Sequence, residues 1–144
     1  MRVDYTTAVD APVETVWSRL IDVTDWPRWT ASVTEVRLLQ PGELRVGARA
    51  RVSQPRLPTL VWTVDALEPL RRFRWSTGSL GVRTVGDHRL EPRPGGGSTL
   101  ALSIDQTGPL GELVGRVTAR MTRTYLRMEG DGMRRASEET AAGR

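Results

Sequence analysis

PLGELVGRVTARMTRTYLRM, residues 109–128, is the longest stretch of the chain with helical periodicity, and its reading decides the fold. Leu110, Leu113, Val114, Val117, Met121, Tyr125 and Met128 recur at spacings of three and four, which gathers them on one face of a helix. That stripe covers about a third of the circumference, and Arg116, Arg120, Arg123 and Arg127 fall on a flank about 90° or more away. The expectation is an amphipathic helix that buries the apolar stripe and leaves the arginines in water. Continued to Ala136 it would be ~40 Å long, enough to cross a small domain, and the rest of the chain offers only a sheet to pack against it.

Upstream, residues 32–107 change to a period of two, with turn residues at fairly regular intervals. Strands are expected near 32–39, 47–54, 59–67, 70–77, 80–91 and 97–107, with breaks at Pro41-Gly42, Pro55 to Pro58, Glu68-Pro69, Gly78-Ser79 and Pro94 to Gly97. Connections this short make neighbouring strands antiparallel. Residues 2–9 alternate as well, with Val3, Tyr5, Thr7 and Val9 on one side, and Asp10-Ala11-Pro12 ends that strand. Pro12 and Glu14 suit the start of a short helix with Val13, Val16, Trp17 and Leu20 on its apolar face. Asp22 or Thr24 can begin a second, less regular one, in which Pro27 interrupts and Trp26 and Trp29 supply bulk. Beyond Met128, Gly130-Asp131-Gly132 lowers helix propensity, so a kink or frayed end is expected there. The organisation is one α+β domain over residues 1–137 with a loose tail at 138–144.

Composition narrows the chemistry. A chain of 144 residues, 38% hydrophobic and 26% charged, is of the folded globular class and long enough to bury a core. No apolar run is long enough to span a bilayer, and Asp4 interrupts the place where a signal peptide would be apolar, so a cytoplasmic protein without stable membrane insertion is expected. The absence of cysteine removes thiol nucleophiles, disulfides and sulfur-ligated metals. All 21 basic residues are arginine, which also removes Schiff-base chemistry. They are scattered and lack an aromatic stacking motif, so nucleic acid is not an expected partner.

The segment VDAPVETVWSRLIDVTDWPRW, residues 9–29, resembles the opening of the START/Bet v 1-like (SRPBCC) superfamily, in particular its bacterial polyketide cyclase/dehydrase and lipid-transport branch. The matching features are Ala11-Pro12 after a strand, Val16-Trp17 in the first helix, Asp22, and Trp29 shortly beyond it. The Gly-rich turn at 94–97, Thr99 and the final helix extend the likeness over nearly the full length. The resemblance implies a helix-grip fold: a seven-stranded curved antiparallel sheet, two short helices, and a long C-terminal helix enclosing a cavity. It further implies binding or transport of a small, largely hydrophobic molecule of lipid, aromatic or polyketide type, without a cofactor, by a monomer or homodimer. A cyclase or dehydratase enzyme on the same pocket, and a partner-binding protein with a closed interior, are the alternatives.

Alternation then nominates the lining of that cavity. Leu60, Trp62, Val64 and Ala66 share one face, as do Phe73, Trp75 and Thr77, then Leu80, Val82, Thr84, Gly86, His88 and Leu90, then Leu100, Leu102, Ile104 and Gln106. They would meet Val114, Val117, Met121 and Tyr125 from the helix. The expected ligand contacts are Trp62, Val64, Phe73, Trp75, Val82, Thr84, His88, Leu100, Leu102, Ile104, Val117, Met121 and Tyr125. Alternation alone fits a solid core equally; the resemblance implies open space.

His88, the only histidine, is the candidate acid or base, with Thr84, Gln106 or Tyr125 as its polar partner and Tyr125 as a candidate donor. A histidine that merely satisfies a neighbour is the alternative. Asp87 should point to the opposite sheet face, so it is no dyad partner. One histidine and no cysteine make a metal site unexpected, and Pro94 to Ser98 reads as a hairpin turn, not a phosphate cradle. Arg49 and Arg51 would bind a ligand carboxylate or phenolate if they face inward; an unpaired buried guanidinium is costly, which favours the outward register.

Overall fold

The alternating segments between Arg2 and Thr107 do form a single sheet. The computed structural model describes residues 1–143 and contains β1 Arg2–Val9, β2 Glu35–Leu38, β3 Arg49–Ser53, β4 Leu60–Glu68, β5 Arg72–Ser79, β6 Val82–Pro92 and β7 Ser98–Thr107. Their order is β1-β7-β6-β5-β4-β3-β2, and every neighbouring pair is antiparallel. Between the two edge strands the chain runs through helix α1, Val13–Ile21, and a short 3-10 helix, Val23–Arg28. A long helix, α2, Gly111–Ala141, closes the concave side of this curved sheet. The fold is the helix grip.

Registers identify the inner face. Val64 opposes Trp75, Phe73 opposes His88, His88 opposes Leu102, and Tyr5 opposes Leu102 on the other side. Directly opposed residues of an antiparallel pair point the same way, so these side chains, with Ala50, Val52, Trp62 and Leu100, build one core. Arg49 and Arg51 stand exposed on the outer face. Two local features depart from simple alternation. A bulge between Val64 and Ala66 turns Ala66 outward opposite Arg74 and brings Leu67 inward opposite Phe73. Its extra residue, Asp65, is held on the outer face by Arg74 Nε at 2.6 Å and Ser76 Oγ at 2.9 Å. The β5–β6 turn is at Leu80-Gly81, with φ of 50° and 83°, and not at Gly78-Ser79. Leu80 is therefore a hairpin tip rather than an inward strand residue.

The long helix sits differently from its sequence reading. Its buried residues are Gly111, Gly115, Ala119, Leu126, Gly130, Gly132, Met133, Ala136 and Ser137. Small residues let the helix lie so low on the sheet that larger ones do not fit beneath it. A Cβ on Gly115 would come within 2.6 Å of the Met1 side chain, and one on Gly130 within 2.7 Å of the Tyr5 ring. One on Gly132 would reach 2.1 Å from the Trp29 carbonyl oxygen. Val117, expected in the cavity, is 76% exposed for this reason, and Leu110 and Leu113 are exposed with it.

The same packing removes the expected kink. Helix α2 passes through Gly130 and Gly132 without interruption. Residues 138–141, read as tail, belong to it. Glu138 accepts the Asp10 amide at 3.0 Å and pairs with Arg134 at 3.4 Å, while Thr140 accepts the Arg19 Nε–H at 3.2 Å. Arg144 lies outside the described residues.

Gly132→Ala is expected to destabilise the protein by about 2 kcal/mol in urea unfolding, as overpacking against backbone does. Thr124→Ala, on the exposed side of α2, should stay within about 0.5 kcal/mol. Amides of residues 130–137 should exchange with solvent at least as slowly as those of 119–128; faster exchange would contradict a continuous buried helix.

Candidate functional site

The centre of the molecule is an aromatic cluster assembled from three parts of the chain. Phe73 and Trp75 come from β5, His88 from β6, and Trp26 from the 3-10 helix. Phe73 stacks on the His88 ring with centroids 5.0 Å apart and planes 10° from parallel. Trp26 meets Trp75 edge-on at 5.4 Å and His88 at 5.5 Å, and Trp62 lies 5.6 Å from Trp75. Gly86 opposes Trp75, and a Cβ there would press within 3.3 Å of the indole, so its hydrogen leaves room for the ring. Trp26 donates its Nε1–H to the Leu20 carbonyl at 3.1 Å, which satisfies the one polar atom that its burial would strand.

His88 is buried within this cluster. Its Nδ1 is 2.9 Å from the Phe73 carbonyl oxygen, and its Nε2 is 2.8 Å from Oε1 of Glu129 on α2. A carbonyl accepts and does not donate, so Nδ1 carries a hydrogen. One further proton must lie between Nε2 and Oε1, as imidazolium with carboxylate or as imidazole with carboxylic acid. Strand β5 thus fixes the ring through the carbonyl and ring of Phe73, and helix α2 supplies the group that shares its proton. The expected partners Thr84, Gln106 and Tyr125 do not fill this role. Tyr125 donates its hydroxyl to the Pro55 carbonyl in the β3–β4 connection instead.

A cavity of about 50 Å³ remains beside the pair. It is lined by Trp26, Val33, Val52, Gln54, Trp62, Trp75, Gly86, Asp87, His88, Ser103, Ile104, Leu126 and Glu129. Ligand pockets run to roughly 300–1,000 Å³, so this closed form has room for a water or two and not for a lipid. Of the expected contacts, Trp62, Trp75, His88 and Ile104 meet there. Val64, Phe73, Leu100 and Leu102 are fully packed around it, whereas Val82, Thr84, Met121 and Tyr125 are half-buried away from its wall. Val117 points out of the molecule. Larger hollows of about 390 and 410 Å³ border Arg135 and Glu139 near the end of α2, but both are open surface dents that share no lining residue with the cavity beside His88.

Trp26, Leu126 and Glu129 are among the lining residues that the sequence reading did not nominate, along with Val33, Val52, Gln54, Asp87 and Ser103. Glu129 carries the only detectable signal: it lies one turn of helix beyond Tyr125, with Leu126 on the buried face between them.

Outside the sheet, a second ionic group braces the strand that carries His88. Arg72 holds both carboxylate oxygens of Asp87, at 3.0 and 2.9 Å, and Arg89 adds a contact at 3.3 Å. Burial opposes the charge on Asp87, yet the Arg72 hydrogen bonds and charge, with those of Arg89, outweigh it and hold the carboxyl below its ordinary value. The same bonds, against the opposing effect of burial, raise Arg72.

A seven-stranded sheet gripping a terminal helix over an aromatic interior with one buried His–Glu pair defines a START-like helix-grip protein. Residues 1–138 match the family described as polyketide cyclase / dehydrase and lipid transport, and the chain belongs to that family. Solved structures repeat the fold. A Helicobacter pylori protein superposes with a TM-score of 0.82 at 13% identity, covering 95% of this chain and 88% of that one. A Nitrosospira multiformis protein gives 0.74 at 22%, covering 93% and 94%. The Zhui aromatase/cyclase from a Streptomyces species gives 0.70 at 19%, covering 99% and 93%. No curated protein sequence matches the chain. No helix among the described residues is long and apolar enough to cross a membrane.

Two outcomes test this geometry. Glu129→Leu strips a buried histidine of its partner and should reduce stability by about 1–3 kcal/mol, while Glu129→Gln, which can still donate to Nε2, should recover most of it in urea unfolding. For Asp87, a lowered folded-state pKa contributes stability above the ordinary aspartate value of about 3.9 and loses it as pH falls through the folded value. Arg72→Met should flatten that acid limb in a pH series of unfolding midpoints.

Proposed function

We propose that the chain binds a small, largely apolar molecule, of lipid, aromatic or polyketide type, between the concave sheet face and α2. The supporting observation is the His88–Glu129 pair set in the wall of a tryptophan-lined cavity. Ligand sites combine a mostly apolar lining with a few convergent polar groups, and this cavity has that character. Membership of a family that includes lipid transport supports the same reading.

Binding requires the closed form to open. The first half of α2 is the part suited to move, because Gly111, Gly115 and Ala119 bury little apolar area against the sheet. The Tyr125 hydroxyl on the Pro55 carbonyl clasps that helix to the β3–β4 connection. Titration with 1-anilinonaphthalene-8-sulfonate should change tryptophan fluorescence with a saturable isotherm. Leu126→Trp, which fills the cavity, should weaken that binding about tenfold or more, and Tyr125→Phe should speed association. A flat titration, together with native mass spectrometry showing nothing carried through purification, would move the protein to the closed-interior, partner-binding class.

The proton shared by His88 and Glu129 favours a second reading, an acid–base enzyme of cyclase or dehydratase type. In it the pair removes a proton from carbon next to a ligand carbonyl and returns one to a departing hydroxyl, which leaves as water. The Zhui aromatase/cyclase, similar in fold, is consistent with that chemistry. Glu129→Gln separates the readings: a carrier keeps its affinity for a co-purified ligand and has no turnover to lose, whereas an enzyme keeps affinity and loses on the order of 10²-fold or more in kcat.

A further inference from the structure

Seven large apolar side chains are exposed among the described residues, and four of them gather at one end of the molecule. They are Leu80 at 91%, Leu110 at 46%, Leu113 at 63% and Val117 at 76%. The hairpin tip that carries Leu80 is stitched to the start of α2: the Leu110 amide donates to the Gly81 carbonyl at 3.0 Å, and a Cβ on Gly81 would touch the Leu110 side chain at 3.4 Å. Leu113 and Val117 continue from there along α2. Each is two residues from the buried Gly115, hence about 200° around the helix and turned away from the sheet. The result is an apolar ridge with no counterpart in the fold.

Arg116, Arg120, Arg123 and Arg127 run beside this ridge, all exposed. Over residues 111–127 these four face a single acidic residue, Glu112. Only Arg116 among them has an ion-pair partner in the described residues, that same Glu112 at 3.5 Å. A second copy of the chain on this face would bring two such arginine rows together and be repelled. Nucleic acid would use the arginines but not the leucines and valine, and no aromatic side chain stands on the ridge for a base to stack on. A surface of anionic lipid headgroups over acyl chains matches both features, since apolar side chains enter the boundary while guanidinium groups meet the phosphates.

We propose that the outer face of the first half of α2, together with the β5–β6 tip, docks reversibly on anionic membrane surfaces. The helix lies in the interface plane and does not span it. This surface does not depend on whether the interior opens.

The test is cosedimentation of the full chain with vesicles of phosphatidylcholine alone, or with about one-third phosphatidylglycerol. Binding is expected to the anionic vesicles only, falling in high salt. Leu113→Ser/Val117→Ser should cut the bound fraction about tenfold, and Arg120→Gln/Arg123→Gln about tenfold or more. Val61→Ser, on the outer face of β4, should change nothing, and circular dichroism checks that every variant is folded. No recovery with anionic vesicles, or equal recovery with both kinds, overturns the proposal. Loss confined to the arginine variant also overturns it, since charge alone would then hold the chain and the apolar ridge would not enter the lipid boundary. So does a solution dimer that Leu113→Ser/Val117→Ser dissociates, which assigns the ridge to a second copy.

Discussion

The close approach of α2 to the sheet governs this structure. Gly115, Gly130 and Gly132 remove the side chains that would hold the helix off Met1, Tyr5 and Trp29. With the helix lowered, the interior has no height left for a large void, and Trp26, Trp62, Trp75 and Leu126 fill what remains down to about 50 Å³. The same lowering brings Glu129 to 2.8 Å from His88. Three glycines thus decide both the size of the cavity and the identity of its polar group.

Glycine lowers helix propensity by about 1 kcal/mol per residue relative to alanine. Here that is offset by tertiary contacts that only glycine permits, and by bonds such as the Tyr5 hydroxyl on Asp131, which lies between two of the glycines. That hydrogen bond, with burial and the charge of Asp131, raises the tyrosine above its ordinary value, so the phenol remains a donor through the neutral range. The helix end is accordingly stapled to β1 by packing and polar contacts together. The helix start is tied instead by the Glu112 carboxylate on the Met1 ammonium at 3.0 Å and by the Leu110 amide on the Gly81 carbonyl at 3.0 Å.

This division explains what was legible in the sequence. Period-two alternation locates all seven strands, because register is enforced by one buried face. It fails locally at Asp65 and Leu80, where a bulge and a two-residue turn insert residues that alternation does not register. The wheel of α2 misleads for a different reason. Periodicity identifies an apolar stripe but not that a stripe of small residues on another face makes the closer contact, so Val117 reads as buried when it is outermost. His88 is legible as an inward residue from β6 alone. Glu129 shows in the sequence only its place one turn beyond Tyr125; its partnership with His88 depends on the height and rotation of a helix forty residues away in the chain.

Geometry also links access to the interior with the exposed apolar ridge. The β5–β6 tip, the β3–β4 connection and the start of α2 converge at one end of an antiparallel sheet, where Leu110 is bonded to Gly81 and Tyr125 to Pro55. Opening the interior for an apolar ligand means releasing α2 at this end, since its other end is fixed by Gly132 on Trp29 and by Glu138 and Thr140. The exposed ridge of Leu113 and Val117 rides on the segment that must move. An environment that draws those side chains away from water therefore acts on the same helix that closes the cavity further along, through Leu126 and Glu129, and any differential affinity of that environment for the raised helix adds directly to the free energy of opening. A ligand of low aqueous solubility would then meet an open interior where it is most concentrated, and a closed one in water.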